Sequence, residues 1–391
     1  MNVLFLSSWY PYPPDNGSKL RVLNLLRGLA ERYNIILISF SNRPNSDPPP
    51  ELKALCREIH VVPRPPFNPT SARALSGLLS LTPRSIIDTN QPLMAQQIGR
   101  VLRENEIDLV IASQWRTAVY HTSFAHVPAI YEEVETGLFT SKVANAATPL
   151  QRLRHSLPLF KLRRYLRHLL PHFRAATVVS ENEKTLLQNI APAYRPVHVI
   201  PNGIRLSDYQ DVQATPQPNT LIFSGSLTYS ANLDAMRWFL ADVYPLIQSR
   251  IPAVKLIITG KSDGYPLPEA DNVERTGFVA DVRPLIASAW ISLAPLREGG
   301  GTRLKILEAM ALGTPVVATS KGAEGIRAAD GEHLLIADSP AQFATAVNRL
   351  LQDRELHQTL IHNSCQLIRQ QYDWEMLMPD FLNLIEESSY G

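Results

Sequence analysis

Residues 294–318 read APLREGGGTRLKILEAMALGTPVVA, and this stretch decides the fold. An apolar run over residues 291–296 ends at three consecutive glycines, residues 299–301, after which apolar residues recur at helical spacing. Gly313 and Pro315 end that helix and start a second apolar run. The pattern predicts a strand, a glycine loop, a helix and a second strand.

The glycine loop has the composition of a phosphate site. Glycines expose backbone N–H groups at a helix N-terminus, where an anion is stabilised. Arg297, Arg303 and Lys305 surround the loop with positive charge, and Glu308 follows on the helix, where its carboxylate could accept hydrogen bonds from sugar hydroxyls. The plainer alternative is a tight turn whose cations only improve solubility.

Length and composition limit the function classes. With 391 residues, 45% of them hydrophobic, the chain is long enough for two domains, and its net charge of +2 argues against coating of nucleic acid. Cys56 and Cys365 lie far apart, which excludes a disulfide framework and indicates a reducing, cytoplasmic compartment. No apolar run approaches the ~20 residues that a membrane-spanning helix needs. The sequence contains no Asp-x-Asp pair, the usual sign of a metal held by carboxylates.

Outward from the central stretch, apolar runs alternate with helical patterns in both halves of the chain. Residues 3–7 predict a buried first strand, followed by a loop that ends at Gly17 and a helix capped by Ser18 with Arg21 in its first turn. A polar stretch over residues 206–219 is interpreted as the linker, after which a strand and the Gly225-Ser226 loop restart the pattern. Strands alternating with helices predict parallel α/β sheets in both halves.

Two charged segments lie in the first half. Glu132, Glu133 and Glu135 follow a predicted strand end, where one of them could act as a general base or bind a substrate hydroxyl, although a solvated acidic turn is equally compatible. Residues 136–180 contain eight Lys or Arg and no Asp or Glu, interleaved with leucines. This basic segment, residues 142–174, predicts contact with an anionic membrane, with a solvated outer face as the alternative.

Several motifs together resemble one family. They are Val199-Ile200-Pro201-Asn202-Gly203, Phe223-Ser224-Gly225-Ser226, Gly277-Phe278-Val279 and the run from Leu307 to Val317 that contains Leu-Glu-Ala-Met-Ala. Over nearly the whole chain the sequence resembles retaining glycosyltransferases of family 4, also called group 1, and is similar to the branch found in exopolysaccharide gene clusters. The resemblance implies the GT-B fold, an α/β architecture of two Rossmann-like domains facing a cleft.

The resemblance also implies a domain organisation. Residues 1–203 would form an N-terminal acceptor domain, residues 204–370 a donor domain for a nucleotide sugar, and residues 371–391 a C-terminal helix that returns to the first domain and couples cleft closure. The donor would be a UDP- or GDP-sugar, and the acceptor a hydroxyl of a lipid-linked, polysaccharide or small molecule. No cofactor, no metal and no nucleic acid are expected, and the protein would be cytoplasmic, with peripheral contact at the inner membrane face.

Site roles follow from the same resemblance. Glu308 would bind the ribose, Phe278 and Val279 would line the base, and Arg297 and Lys305 would act with Glu298 in catalysis. The remaining donor-binding residues would be Gly225, Ser226, Lys261, Gly300, Gly301, Thr302 and Arg303. On the acceptor side we expect Gly17, Arg21, Glu133 and Glu135.

The sequence departs from the family pattern in three places. Nine residues separate Glu298 from Glu308, whereas seven residues separate the paired glutamates of the family. Gly300 occupies the position where the family has the first of these glutamates. The usual cations after the Gly225 loop are missing, and residues 132–135 read EEVE where the branch often has HNVE. An epimerase or hydrolase acting on nucleotide sugars, or a non-catalytic binding module, therefore stays as an alternative.

Overall fold

The computed structural model describes residues 1–44, 47–64, 66–137, 140, 143, 148–299 and 303–390. The chain divides into two compact units. Unit 1 comprises Met1–Asn202 and Met378–Gly391, and unit 2 comprises Gly203–Leu377.

Unit 1 is built on a parallel sheet whose strand order is β3-β2-β1-β4-β5-β6-β7. Its central strands are almost wholly apolar, and the side chains of residues 3–6 and 109–112 are fully buried, as expected of a sheet covered on both faces. The strands are β1 (Asn2–Ser7), β2 (Asn34–Ser41), β3 (Glu58–Pro63), β4 (Leu109–Ser113), β5 (Ala129–Glu132), β6 (Ala175–Val178) and β7 (Val197–Val199).

Helices connect these strands. The first, α1, begins after Asn16, whose side chain accepts a hydrogen bond from the N–H of Lys19, so Asn16 and not the expected Ser18 is the cap. The helices of unit 1 up to residue 202 are α1 (Gly17–Ala30), α2 (Pro50–Leu55), α3 (Ala72–Ser76), α4 (Arg84–Thr89), α5 (Pro92–Glu104), α6 (Trp115–Ala118), α7 (Pro149–Leu169) and α8 (Glu181–Ile190).

Unit 2 repeats the architecture with a parallel sheet in the order β10-β9-β8-β11-β12-β13. Its strands are β8 (Gln217–Ser224), β9 (Lys255–Thr259), β10 (Val273–Gly277), β11 (Ala289–Ala294), β12 (Val316–Ala318) and β13 (Leu335–Ile336). Its helices are α9 (Ser207–Gln210), α10 (Ser230–Trp238), α11 (Tyr244–Gln248), α12 (Arg283–Ser288), α13 (Leu304–Ala311), α14 (Pro340–Gln352) and α15 (Arg354–Gln371).

The predicted α/β class with two doubly wound parallel sheets is confirmed. Each sheet has a switch point, β1 beside β4 and β8 beside β11, where successive connections lead to opposite sides. In open α/β sheets, ligands bind at the carboxyl ends of strands beside such a point. Strand β10 is missing from the sequence-based prediction because it is an edge strand with the polar sequence VERTG.

The polar stretch over residues 206–219 is not a linker. It contains α9 and the start of β8, both in unit 2, and Tyr209 of α9 is buried in the unit 2 core. The units divide earlier, between Asn202 and Gly203.

The last helix, α16 (Trp374–Tyr390), belongs to both units: residues from Met378 onward are part of unit 1. Within unit 2, the residues at the start of α16 and just before it lie beside Gly203 and Ile204. Ile204 donates its N–H to the carbonyl of Tyr372 at 2.9 Å, and the Trp374 indole donates to the carbonyl of Gly203 at 3.1 Å. A Cβ on Gly203 would lie 2.5 Å from the Tyr372 carbonyl oxygen, so only glycine permits this approach.

Candidate active site

Three strand ends of unit 2 meet at glycines. Gly225 donates its N–H to the Thr259 carbonyl at 2.9 Å, and Gly260 donates to the Gly277 carbonyl at 2.8 Å. A Cβ on Gly260, whose φ is +127°, would lie 2.5 Å from the carbonyl oxygen of Gly225. The loops after β8 and β9 therefore approach each other as closely as backbone allows, at the carboxyl edge of the sheet.

Lys305 projects onto this edge from the first turn of α13. Its Nζ lies 4.0 Å from the ring centroid of Phe223 and donates to Oδ1 of Asn232 at 3.1 Å. The Asn232 amide donates in turn to the Ser226 carbonyl at 2.8 Å. A Cβ on Gly225 would lie 2.7 Å from Nζ, so this glycine makes room for the lysine.

The environment of Lys305 disfavours its charge. Burial, assisted by the neighbouring Arg303, lowers the pKa of the Lys305 ammonium to about 7. A desolvated amine of this kind gains from an anion placed beside it, because the anion restores the interaction that water supplied. The side chain is therefore suited to hold a phosphate.

Glu308 lies one turn further along α13. Its Oε1 accepts a hydrogen bond from the hydroxyl of Tyr209 at 3.1 Å, and the Tyr209 ring lies 6.0 Å from the Arg283 guanidinium. Burial raises the pKa of Glu308, while the Tyr209 hydroxyl and Lys305 act in the opposite direction. A carboxylate oriented in this way can accept hydrogen bonds from a diol.

Arg297 is paired with a carboxylate of the same unit. Its guanidinium makes two hydrogen bonds to the Asp234 carboxylate, at 2.6 and 3.0 Å, and lies 5.5 Å from the Trp238 ring. The sequence-based prediction missed Asp234 because it lies 63 residues earlier. The charge of Arg297 is compensated within unit 2, which leaves Lys305 as the better placed cation.

The other predicted donor residues have different surroundings. Arg303 is buried, with a guanidinium nitrogen 3.5 Å from the Glu298 carbonyl oxygen, whereas the Glu298 side chain is exposed. Lys261 Nζ lies 5.6 Å from the ring of Phe278, which is 62% exposed and follows β10 directly. Of the other residues predicted to bind the donor, Ser226 hydrogen-bonds to Thr228 and Val279 is partly buried. Gly300, Gly301 and Thr302 lie outside the described residues.

In unit 1 the structure corrects the expectation for Arg21. This side chain is 1% exposed and pairs with the buried Glu132 at 2.6 Å. It also donates to the carbonyls of Ile200 and Pro201 and to Asn202, at 3.0–3.1 Å. Arg21 therefore holds α1 against the segment after β7, and its burial leaves it no surface for an acceptor.

Glu133 lies at the carboxyl end of β5 and is partly buried. It accepts a hydrogen bond from the Gln114 side chain at 2.7 Å and donates its N–H to the Thr177 hydroxyl at 2.9 Å. Burial, together with Glu132 next to it, raises the pKa of Glu133 to about 8. Gly17 is the first residue of α1 and Glu135 is exposed.

Asn232, Tyr209, Asp234 and Gln114 were missed by the sequence-based prediction. Each is a common polar residue whose importance comes from a partner distant in the chain. The one available signal was the position of Gln114, which follows the apolar run over residues 109–112 after a single serine.

Two kinds of feature are absent from the part of the chain that the structure describes. Among the described residues, no group of three or more His, Cys, Asp or Glu is arranged to hold a metal ion. Within the same residues, no helix has the length and apolar character needed to cross a bilayer.

Two family models match the chain. Residues 16–208 match the model described as Glycosyltransferase Family 4, and residues 218–353 match the model described as Glycosyl transferases group 1. Together these matches cover the glycine loops, the strand ends and α13.

Two curated proteins are similar over part of the chain. A phosphatidyl-myo-inositol mannosyltransferase of Mycolicibacterium smegmatis is 28% identical over 203 residues, which are 49% of this chain and 52% of that protein. An uncharacterized 44.6 kDa protein in the cps region of Klebsiella pneumoniae is 27% identical over 164 residues, 39% of this chain and 42% of that protein. The chain thus spans about half the length of these relatives.

Solved structures resemble the whole chain. Sucrose-phosphate synthase from Thermosynechococcus elongatus has a TM-score of 0.70 at 16% identity and covers 99% of both chains. Anabaena HepE in complex with UDP and glucose has a TM-score of 0.67 at 16% identity, over 99% of this chain and 100% of that one. At this identity the likeness establishes a shared fold.

Proposed function

The chain belongs to the group 1, family 4 glycosyltransferases, and from this premise we propose that it transfers a sugar, with retention of anomeric configuration, from a nucleotide sugar to an acceptor hydroxyl. Unit 2 would bind the donor and unit 1 the acceptor. The acceptor would be a lipid-linked, polysaccharide or small molecule.

Lys305 is the observation that carries this proposal. When the glycosidic bond to the nucleotide breaks, negative charge develops on the departing diphosphate, and catalysis requires that this charge be stabilised. The Lys305 ammonium, held over Gly225 and Phe223 by Asn232, would supply a nearby positive charge. A low-dielectric setting strengthens that interaction compared with one in water.

The rest of the donor would follow from the same edge of the sheet. Glu308, oriented by Tyr209, would accept hydrogen bonds from the ribose hydroxyls, and the exposed Phe278 would pack on the base. UDP bound to Anabaena HepE, which shares the fold, supports a nucleotide-sugar donor. We propose that cationic side chains neutralise the diphosphate in place of a metal, so that transfer would persist in the presence of a chelator.

Substitution of Lys305 tests the reaction. We expect Lys305→Ala to reduce transfer by about a hundredfold or more, because it removes a preorganised charge from the leaving group. Lys255→Ala is the matched control, since Lys255 is exposed at the amino end of β9 and should leave transfer unchanged. Full activity of Lys305→Ala in a properly folded protein would contradict the role assigned to this lysine.

The assay also separates the alternatives. Turnover of the donor by water alone, without an acceptor product, would indicate a hydrolase or epimerase of the same fold. Donor binding without turnover against a broad panel of acceptors would indicate a binding module. Release of nucleotide together with a glycosylated product would support the transferase.

We further propose that unit 1 contacts an anionic membrane through α7 and through residues 77–79, which lie beside it. Side chains on both are unusually exposed for their size: Leu79 is 96% exposed, Leu150 76%, Leu153 71% and Phe160 57%. Lys161 of α7 donates to the carbonyls of Gly77 and Leu78 at 3.0 and 2.9 Å, which joins the two segments. Arginines of α7 would attract acidic lipids while the apolar side chains insert.

Vesicle binding tests the membrane proposal. We expect the protein to sediment with vesicles containing phosphatidylglycerol and not with pure phosphatidylcholine, and Leu153→Ser combined with Phe160→Ser to weaken that binding. Leu246→Ser is the control, because Leu246 is exposed in unit 2. Equal binding of the double variant and the wild type would argue against insertion of α7.

A further inference from the structure

A second cluster of polar and charged side chains lies in unit 1. Trp9 follows β1, Arg64 follows β3, Gln114 follows β4 and Glu133 follows β5. All four strands are parallel, so these residues lie at one edge of the sheet, around the switch point between β1 and β4. This is the place at which an open α/β sheet binds a ligand.

Hydrogen bonds and ring contacts connect the cluster. The Trp9 indole donates to Gln114 Oε1 at 3.0 Å, and Gln114 Nε2 donates to Glu133 at 2.7 Å. The Arg64 guanidinium lies 3.6 Å from the centroid of the Trp9 ring. At this distance the guanidinium packs over the face of the indole, a contact that favours the position of its charge.

The backbone of the cluster is strained. Gln114 has φ +67° and ψ 168°, and Glu133 has φ +56°, conformations that side chains other than glycine rarely adopt. Strain of this kind persists only where surrounding structure holds it, and it concentrates at binding and catalytic sites. The two strained residues are also hydrogen-bonded to each other through their side chains.

Arg64 brings a positive charge to this edge. Among the described residues, no carboxylate pairs with Arg64, and the charged group that acts on it is another cation, Arg116. Burial and Arg116 lower the pKa of Arg64 to about 10, and burial also lowers the pKa of Arg116. A partly buried guanidinium with a second cation acting on it gains when an anion lies beside it.

On the basis of the proposed transferase function, we propose that the acceptor carries a phosphate group and that Arg64, stacked on Trp9, binds that phosphate. Gln114 and Glu133 would then face the hydroxyls of the same molecule. The acceptor class is thus a phosphate-bearing polyol or sugar, and a neutral sugar would be a poor substitute. The phosphate could belong to a lipid or to a free sugar phosphate, which share this chemistry.

Calorimetry on the full chain saturated with UDP tests this inference, because UDP fills the diphosphate site of unit 2 beforehand. The probes are inorganic phosphate, glucose 6-phosphate, glucose and mixed micelles containing phosphatidylinositol. We expect phosphate-bearing probes to bind, and Arg64→Gln to weaken that binding by about tenfold or more, as loss of a charge-assisted hydrogen bond does. Arg64→Lys should retain part of the affinity, and Arg100→Gln, an exposed arginine on α5, should retain all of it.

Each outcome has a defined meaning. Tighter binding of glucose 6-phosphate than of inorganic phosphate indicates that the acceptor is a soluble sugar phosphate. Tighter binding only of the phosphatidylinositol micelles indicates that the acceptor is a lipid. If no phosphate-bearing probe binds better than glucose, or if Arg64→Gln binds every probe as the wild type does, the inference is overturned. Failure of UDP itself to bind would instead contradict the proposed function.

Discussion

At the scale of single residues, two carboxylates next to each other in the chain have opposite environments. Glu132 is fully buried and neutralised by Arg21, whereas Glu133 is partly buried, has a left-handed backbone and receives one hydrogen bond from Gln114. The charge of Glu132 beside it helps to keep Glu133 protonated near neutral pH. A protonated carboxyl can donate a hydrogen bond to an acceptor hydroxyl, which a carboxylate cannot.

The raised pKa of Glu133 predicts a pH dependence of stability. Between its ordinary value of 4.5 and its native value of about 8, the unfolded chain ionises this carboxyl while the native chain keeps its proton. The contribution of Glu133 to stability is therefore complete below pH 4.5 and is lost as the pH rises to about 8.

We expect Glu133→Gln to abolish this loss. In thermal unfolding experiments, the Tm of the wild type should fall by more between pH 5 and pH 8 than the Tm of the variant. Glu31→Gln, at an exposed glutamate after α1, is the control and should behave as the wild type. Identical pH dependence in all three proteins would show that Glu133 titrates normally.

Lys305 gives a second prediction at the same scale. Because its pKa is lowered to about 7, most of this side chain is neutral at pH 8, and a bound diphosphate would restore the charged form. UDP is already ionised at that pH, since phosphate monoesters have a second pKa of about 6.

We therefore expect UDP binding at pH 8 to take up most of one proton. Calorimetry in two buffers of different ionisation enthalpy measures that uptake. Lys305→Met should bind UDP with no uptake, and Lys255→Met should keep it. Equal proton uptake with and without Lys305 would assign the proton to another group.

At the scale of elements, the loops after β8 and β9 depend on close backbone contact. Gly260→Ala would place a Cβ 2.5 Å from the Gly225 carbonyl oxygen, so the two strand ends would have to separate. Gly264→Ala is the matched control, because its φ of +73° is also left-handed but no atom lies within 4 Å of the added Cβ.

Both variants should lose stability through backbone strain, by roughly 1 kcal/mol. Gly260→Ala should lose about 1–3 kcal/mol more, from overpacking, and should also weaken UDP binding because Lys305 packs over the displaced Gly225 loop. Urea unfolding and UDP titration measure the two effects. If both variants lost the same stability, the backbone conformation at residue 260, and not its close approach to Gly225, would explain why glycine is needed there.

At the scale of the whole molecule, the end of α16 completes the core of unit 1. Phe381 and Ile385 are fully buried there, and the Arg174 guanidinium donates to the Ser388 carbonyl at 3.1 Å. Removal of a buried phenylalanine side chain leaves a cavity that costs about 3–5 kcal/mol.

Phe381→Ala should consequently destabilise unit 1 by that amount. Hydrogen exchange should report faster opening of β1 to β7, with unit 2 changing little. Met376→Ala is the control on the same helix, because Met376 is 55% exposed. Unchanged exchange in unit 1 would mean that this helix end contributes little to its stability.

The sequence contained enough information for the architecture and for part of the site. Buried parallel strands appear as uninterrupted apolar runs, and residues that follow such runs fall at the carboxyl edge of their own sheet, as Gly225 and Lys261 do in unit 2 and Glu133 does in unit 1. The partners of individual side chains could not be predicted from the sequence. Asp234 pairs with Arg297 across 63 residues of chain, and Glu132 pairs with Arg21 across 111 residues. Such pairings depend on tertiary position, and no local pattern encodes them.

The split of unit 1 over two stretches of chain bears on its synthesis. Residues from Met378 leave the ribosome only after all of unit 2 has been made, although they fill the interior of unit 1. Unit 2 is one continuous stretch and can fold as soon as it emerges. A released chain truncated after residue 377 should therefore have a protease-resistant unit 2 and a protease-sensitive unit 1, which makes the earlier half of this polypeptide the later one to mature.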